Sequence, residues 1–151
     1  MIKKQLQSIS QLSKSYQSTL YVVGGTLRDL ILGRECSDFD FAIRGASTLA
    51  KKYAHDTKSA LVPLDTTPGR ETFRVVIKKN IYFDFSELQG ESIETDLSQR
   101  DFTINAMAIS LQNFIGGSTD FLDPHSGKHD IEKKIIRVLP GPIFLSDPLR
   151  M

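Results

Sequence analysis

Residues 22–43 read VVGGTLRDLILGRECSDFDFAI, and the last third of that stretch sets two aspartates, Asp38 and Asp40, into an otherwise apolar run. Side chains alternate between the two faces of a strand, so Asp38 and Asp40 share one face while Phe39 and Phe41 take the other. The phenylalanine face belongs against a core. The aspartate face is either solvated or a site. Just upstream, TLYVV (19–23) reads as a short buried strand that Gly24 and Gly25 break. Thr26 to Leu32 then returns to helical spacing until Gly33 stops it. Two glycines between a strand and a helix let backbone amides point at a phosphate, and Arg28, one turn into the helix, can add a charge-assisted bond. Taken alone, the same residues also read as a tight turn with a surface arginine.

Working outward, Ile2, Leu6, Ile9 and Leu12 recur every three to four residues, which predicts an amphipathic N-terminal helix. The stretch ASTLAKKYAHDTK (46–58) reads as a helix with Ser47 and Thr48 near its start. ALVPL (60–64), ETFRVVIK (71–78) and IYFDF (81–85) read as strands, the last two joined by a tight hairpin at Lys79 and Asn80. Helix follows from Ser92, then a short buried segment in NAMAISL (105–111). The stretch TDFLDPHSGKHDIEKKIIRVLP (119–140) reads as strand, Asp-Pro turn, short helix and strand. The fold class is therefore α/β in the α+β sense, a mixed sheet with helices packed on it.

The 151 residues, 40% hydrophobic and 25% charged, suit one globular domain with a single core. A net charge of +1 argues neither for nor against a polyanionic partner. A single cysteine, Cys36, excludes an internal disulfide. With no apolar run long enough to cross a bilayer and no signal-like N-terminus, a cytoplasmic setting is expected. The chain closes on DPLRM, directly after a helix-start signal in which Ser146 or Asp147 caps and Pro148 opens the first turn. The expected division is a head at residues 1–139 and the start of a further helix at 140–151, cut short.

Three places bear on chemistry besides the glycine turn. Asp38 and Asp40 lie about 6.6 Å apart along a strand, and oxygens ~5 Å apart repel by roughly 3 kcal/mol at an effective dielectric of about 20. A magnesium ion reverses that cost, although Asp-x-Asp alone equally suits a solvated strand face. Asp84 repeats the anomaly within IYFDF. If its strand lies beside that of Asp38, three carboxylates converge as two-ion phosphoryl transfer requires. In QRDFTINAMAI (99–109), Arg100 held by the neighbouring Asp101 could point at a triphosphate, and Asn105 is a polar residue in an apolar stretch.

In order, VVGGTLRDLILG, SDFDFAI, ETFRVVI, FDF, QRDFTINAMA, DPHSGKHDIEKKIIRVL and DPLRM together resemble the catalytic head of class II tRNA nucleotidyltransferases and bacterial poly(A) polymerases across nearly the whole chain. The resemblance implies a polymerase-β-like palm, followed in whole enzymes by helical neck, body and tail domains that hold RNA. It implies nucleotide contacts from the glycine turn, Gly24 and Gly25, and from Arg28. It makes Asp38 and Asp40 metal ligands, Asp84 a third catalytic acid, and Arg100 a triphosphate contact. Asp147 and Arg150 become base-reading residues, since a carboxylate accepts and a guanidinium donates along a base edge.

The activity implied is template-independent addition of C or A, or both, to a tRNA 3' end from CTP and ATP with release of pyrophosphate. Two Mg2+ ions are implied, one on Asp38 and Asp40 activating the 3'-hydroxyl and one on the triphosphate. Three departures bear on specificity. Gln99 stands where the family usually has an arginine, Ser146 replaces a glutamate, and the segment between Phe85 and Arg100 lacks a longer loop tied to terminal adenosine addition. CCA, CC, A and poly(A) addition all stay open, as does a nucleotide-binding module without activity.

Overall fold

The strand that carries the two aspartates forms the middle of a six-stranded sheet in this computed structural model, which describes residues 2–139. In chain order the elements are α1 (Ile2–Ser13), β1 (Tyr21–Val23), α2 (Gly25–Ile31), β2 (Asp38–Ile43) and α3 (Ala46–Thr57). Then come β3 (Ala60–Asp65), β4 (Thr72–Lys78), β5 (Ile81–Glu87), α4 (Ile93–Ser98) and a 3-10 turn at Thr103–Asn105. β6 (Ala108–Ser110), α5 (Leu111–Ile115) and α6 (Gly127–Glu132) complete the order. The sheet runs β3-β4-β5-β2-β1-β6. Among the described residues only the β2–β5 pair is parallel, so the sheet is mixed, as expected, with its other pairs antiparallel.

The predicted alternation in β2 holds. Phe39 and Phe41 are buried, Asp38 is exposed and Asp40 half-buried. The parallel register sets Phe39 opposite Phe83 and Phe41 opposite Phe85, and these four rings interlock. Phe41 meets Phe83 edge-on at 5.3 Å and stacks on Phe85 at 5.2 Å between centroids. Tyr53 of α3 stacks on Phe83, and α1 adds Leu6 and Ile9 to the same core. Burying each such side chain stabilises by about 1.5–3 kcal/mol, so this face anchors β2 and β5. Part of the opposite face is covered by a smaller cluster in which Leu97 of α4 and Ala106 meet Val23 and Ala42.

Ser47 and Thr48 lie in the first turn of α3, as expected. Its N-cap is Gly45, and the Glu87 carboxylate at the end of β5 accepts the amides of Gly45 and Ala46 at 3.0 and 3.1 Å. The two strands expected within residues 119–140 reduce to single bridges, Ala108 to Leu122 and Phe102 to Val138. Ile136 and Val138 are 73% and 50% exposed, so this apolar run has no sheet face to bury against. The hairpin at Lys79 and Asn80 forms, with Asn80 in the left-handed region. Among the described residues no helix is long and apolar enough to cross a membrane.

Candidate active site

The aspartate strand and the glycine turn are joined by one buried hydroxyl. Thr26, next to Gly25, accepts the Asp40 amide at 2.7 Å and donates to the Asp38 carbonyl at 3.3 Å. This staples the start of α2 across β2. Gly24 has φ +60° and ψ −131°, a region that L side chains rarely enter, and it turns the chain sharply from β1 into α2. A Cβ on Gly24 would lie 3.3 Å from Nη1 of Arg100, and one on Gly25 3.2 Å from Nη2 of Arg28 and 3.5 Å from Oδ2 of Asp40. The turn therefore brings Arg28, Arg100 and Asp40 around one patch of bare backbone.

Each arginine is aimed by a neighbour. Arg28 donates from Nε to Asp29 at 3.2 Å and from Nη1 to Oδ1 of Asn105 at 3.0 Å. Asn105 in turn donates to Asp101 at 3.4 Å. Arg100 is not held by Asp101. Its Nε and Nη2 donate to Oδ1 of Asp96 at 3.1 and 2.9 Å, while Oδ2 of Asp96 accepts the Gln89 amide at 2.8 Å. Arg100 follows the C-terminus of α4, where the turn closed by its amide on the Leu97 carbonyl at 3.3 Å carries its side chain back to Asp96. Asp101 instead accepts the Phe102 amide.

Asp84 does lie beside the aspartate strand, opposite Asp40 in register. Both of its oxygens are engaged, however. Arg74 of β4, itself opposite Asp84, donates from Nε to Oδ1 at 2.9 Å and from Nη2 to Oδ2 at 3.0 Å. Among the described residues no three His, Cys, Asp or Glu side chains stand together as a metal site. Asp84 thus stands beside Asp40, as expected, and carries an ion pair with Arg74.

A cleft of about 660 Å³ opens over this arrangement, lined by Gly24, Gly25, Arg28, Asp40, Arg100 and Asn105 among others. Burial, joined by the charges of Asp84 and Asp38, pushes the Asp40 carboxyl from 3.8 up to about 6 against the pull of Arg100 and Arg28. The cleft thus holds a carboxylate with less positive charge around it than it needs. Two oxygen donors on one strand face suit a hard divalent cation, which completes its shell with water and substrate phosphates. Arg74, Asp96 and Thr26 carry no site signal in the sequence reading above, and Asn105 appears there only as a polar residue in an apolar stretch, with no partner named. The i,i+4 spacing of Asp96 to Arg100 was a readable signal; the other three depend on contacts that span the fold. Asp147 and Arg150 lie outside the described residues.

The poly A polymerase head domain family matches residues 20–137. A CC-adding tRNA nucleotidyltransferase of Geobacter sulfurreducens is 39% identical over 87% of this chain and 29% of its own length. One from Halalkalibacterium halodurans is 35% identical over 100% of the chain and 37% of its length. A CCA-adding enzyme solved in complex with ATP superposes with a TM-score of 0.81 at 31% identity, over 99% of this chain and 36% of that one. The chain thus spans about a third of the length of the relatives it matches. The matched residues include the whole of the cleft just described, and they show that this chain belongs to the poly A polymerase head domain family.

Proposed function

We propose that this chain is the catalytic head of a template-independent tRNA nucleotidyltransferase that adds C or A, or both, from CTP and ATP to a tRNA 3' end. One observation carries the reading. The same cleft holds an anion-receptive wall, formed by the glycine turn with Arg28 and Arg100, and an acidic wall at Asp40. A nucleoside triphosphate needs the first, and the cations that accompany it need the second. The relatives named above add C to tRNA or bind ATP by their own names, which supports the same substrate class.

In this reading the bare backbone at Gly24 and Gly25 receives the triphosphate, and Arg28 and Arg100 turn their guanidinium groups onto its oxygens. Asp96 and Asn105 keep those two side chains from swinging into solvent. The 3'-hydroxyl gives up its proton to solvent as its oxygen bonds to the α-phosphorus, the α–β bridging P–O bond breaks, and pyrophosphate leaves. The arginines offset the charge that builds on the departing phosphates. Asp38 and Asp40 would hold divalent cation, with two Mg2+ ions in the working complex. When bound, these ions supply Lewis-acid activation of the hydroxyl and charge neutralisation. In this reading Asp147 and Arg150 contact the edge of the incoming base.

The test uses the full-length protein and three tRNA transcripts, ending at the discriminator base, after the first C and after the second C. Each is incubated with CTP, ATP or both, and the products are sequenced. Addition confined to these ends supports the reading. Long adenosine tails on any RNA would make it a poly(A) polymerase, and CTP or ATP binding without extension would make it a binding module.

A further inference from the structure

Three charged side chains stand in one row across the sheet. The antiparallel register sets Arg74 of β4 opposite Asp84 of β5, and the parallel register sets Asp84 opposite Asp40 of β2. Arg74 grips both oxygens of Asp84, the fork-to-fork geometry that gives the strongest carboxylate pairing. Its guanidinium also lies 4.5 Å over the ring of Tyr82, which fixes the side chain from a second direction. The Asp84 side chain is 12% exposed, against a strand face on which Asp38 stays open to solvent.

We propose that Arg74 is a positioning residue that withholds Asp84 from the cation site, so that only Asp38 and Asp40 act as protein ligands. The inference rests on the cation-binding reading given above and goes one step beyond it. The charge balance explains the use of such a device. Asp84 and Arg74 cancel, leaving two carboxylates whose charge matches one divalent ion. A third free carboxylate would hold the ion tightly without nucleotide. With two, affinity depends on the phosphate oxygens that arrive with the substrate, since cation affinity rises with the number of charged ligands. Arginine suits this role better than lysine, because a planar fork occupies both oxygens and a single ammonium does not.

The experiment measures Mn2+ binding by electron paramagnetic resonance on the purified chain without nucleotide, with circular dichroism confirming that each variant is folded. Arg74→Met is expected to bind Mn2+ at least about tenfold more tightly than the unaltered chain, through release of Asp84. Arg74→Lys is expected to fall between the two. The double variant Arg74→Met with Asp84→Asn removes a neutral pair as a unit, and its affinity is expected to return to within about threefold of the unaltered chain. Unchanged or weaker binding in Arg74→Met overturns the inference. So does a tenfold loss in the double variant, which would make Asp84 a ligand despite Arg74. Asp40→Asn separates the two levels of the argument. If it leaves Mn2+ binding intact, the cation-site reading fails and the inference with it. If it abolishes binding while Arg74→Met changes nothing, the role of Arg74 alone fails.

Discussion

Replacing Asp40 with asparagine is expected to abolish nucleotide addition while making the cation-free fold more stable. The folded protein lifts the Asp40 carboxyl from 3.8 to about 6, chiefly through burial and then through Asp84. A raised carboxylate pKa means that the folded state binds more protons than the unfolded one between those two values, so stability falls as pH rises through that window. Two units at about 1.4 kcal/mol each give ~3 kcal/mol, fully expressed above pH ~6. Asparagine keeps the shape and removes the charge. In a chain of this size that corresponds to a rise in Tm of roughly 6–12 °C at pH 8 in EDTA. The gain should shrink as pH drops from 6 towards 4, where the aspartate is itself protonated. Excess Mg2+ should raise the Tm of the unaltered chain and not that of the variant. Thermal unfolding followed by circular dichroism at pH 8 and pH 4.5, with and without Mg2+, measures all of this. A variant that melts lower at pH 8, or whose advantage is the same at both pH values, would refute the electrostatic account of the site.

Divalent cation binding should be proton-linked, because binding at Asp40 requires its ionised form. Mn2+ affinity is expected to be flat above pH ~6 and to fall by up to about tenfold per unit below it; calorimetric titration giving equal affinity at pH 5 and pH 7.5 would contradict the assignment. Arg28→Ala should weaken CTP and ATP binding by about 10–100-fold, the range for losing a charge-assisted bond of roughly 1.5–3 kcal/mol. Asn105→Ala should cost less, a few-fold, because Arg28 keeps its pairing with Asp29 at 3.2 Å while losing its bond to Asn105. Fluorescent-nucleotide titration checks both, and unchanged affinity in Arg28→Ala would reduce the glycine turn to a structural bend.

The parts of this molecule that were legible in the sequence are those set by local spacing. Alternation in SDFDFAI placed Phe39 and Phe41 in the core, and the glycine pair marked where strand gives way to helix. The importance of Asp84 was visible as a charge in an aromatic run, but its position opposite Asp40 depended on a parallel pairing across more than forty residues of chain. Arg74 was less visible still. Its strand was recognised, while its bidentate grip on Asp84 follows from a register that irregularity near Val76 and Lys78 helps to set. Asn105 stood out as a polar residue in an apolar stretch without a reason, since the arginine it orients lies 77 positions away. Arg100 pairs with Asp96 and not with the adjacent Asp101, because the turn that follows α4 folds its side chain back over the helix.

The two faces of β2 also explain each other energetically. Keeping Asp40 ionised in a half-buried position costs about 3 kcal/mol by the same pKa argument, a large part of the 5–15 kcal/mol by which domains are stable. Phe39 and Phe41, one residue away on the other face, are buried at 4% and 0% exposure and interlock with Phe83 and Phe85. At about 1.5–3 kcal/mol for each phenylalanine, the aromatic face offsets the charge on its reverse. The pairing also guards the geometry, because a slip of one residue between β2 and β5 would turn the rings to the cleft and the carboxylates to the core. Stability and placement of the acids are thus properties of one register, the one that sets Phe41 on Phe85 and Asp40 beside Asp84.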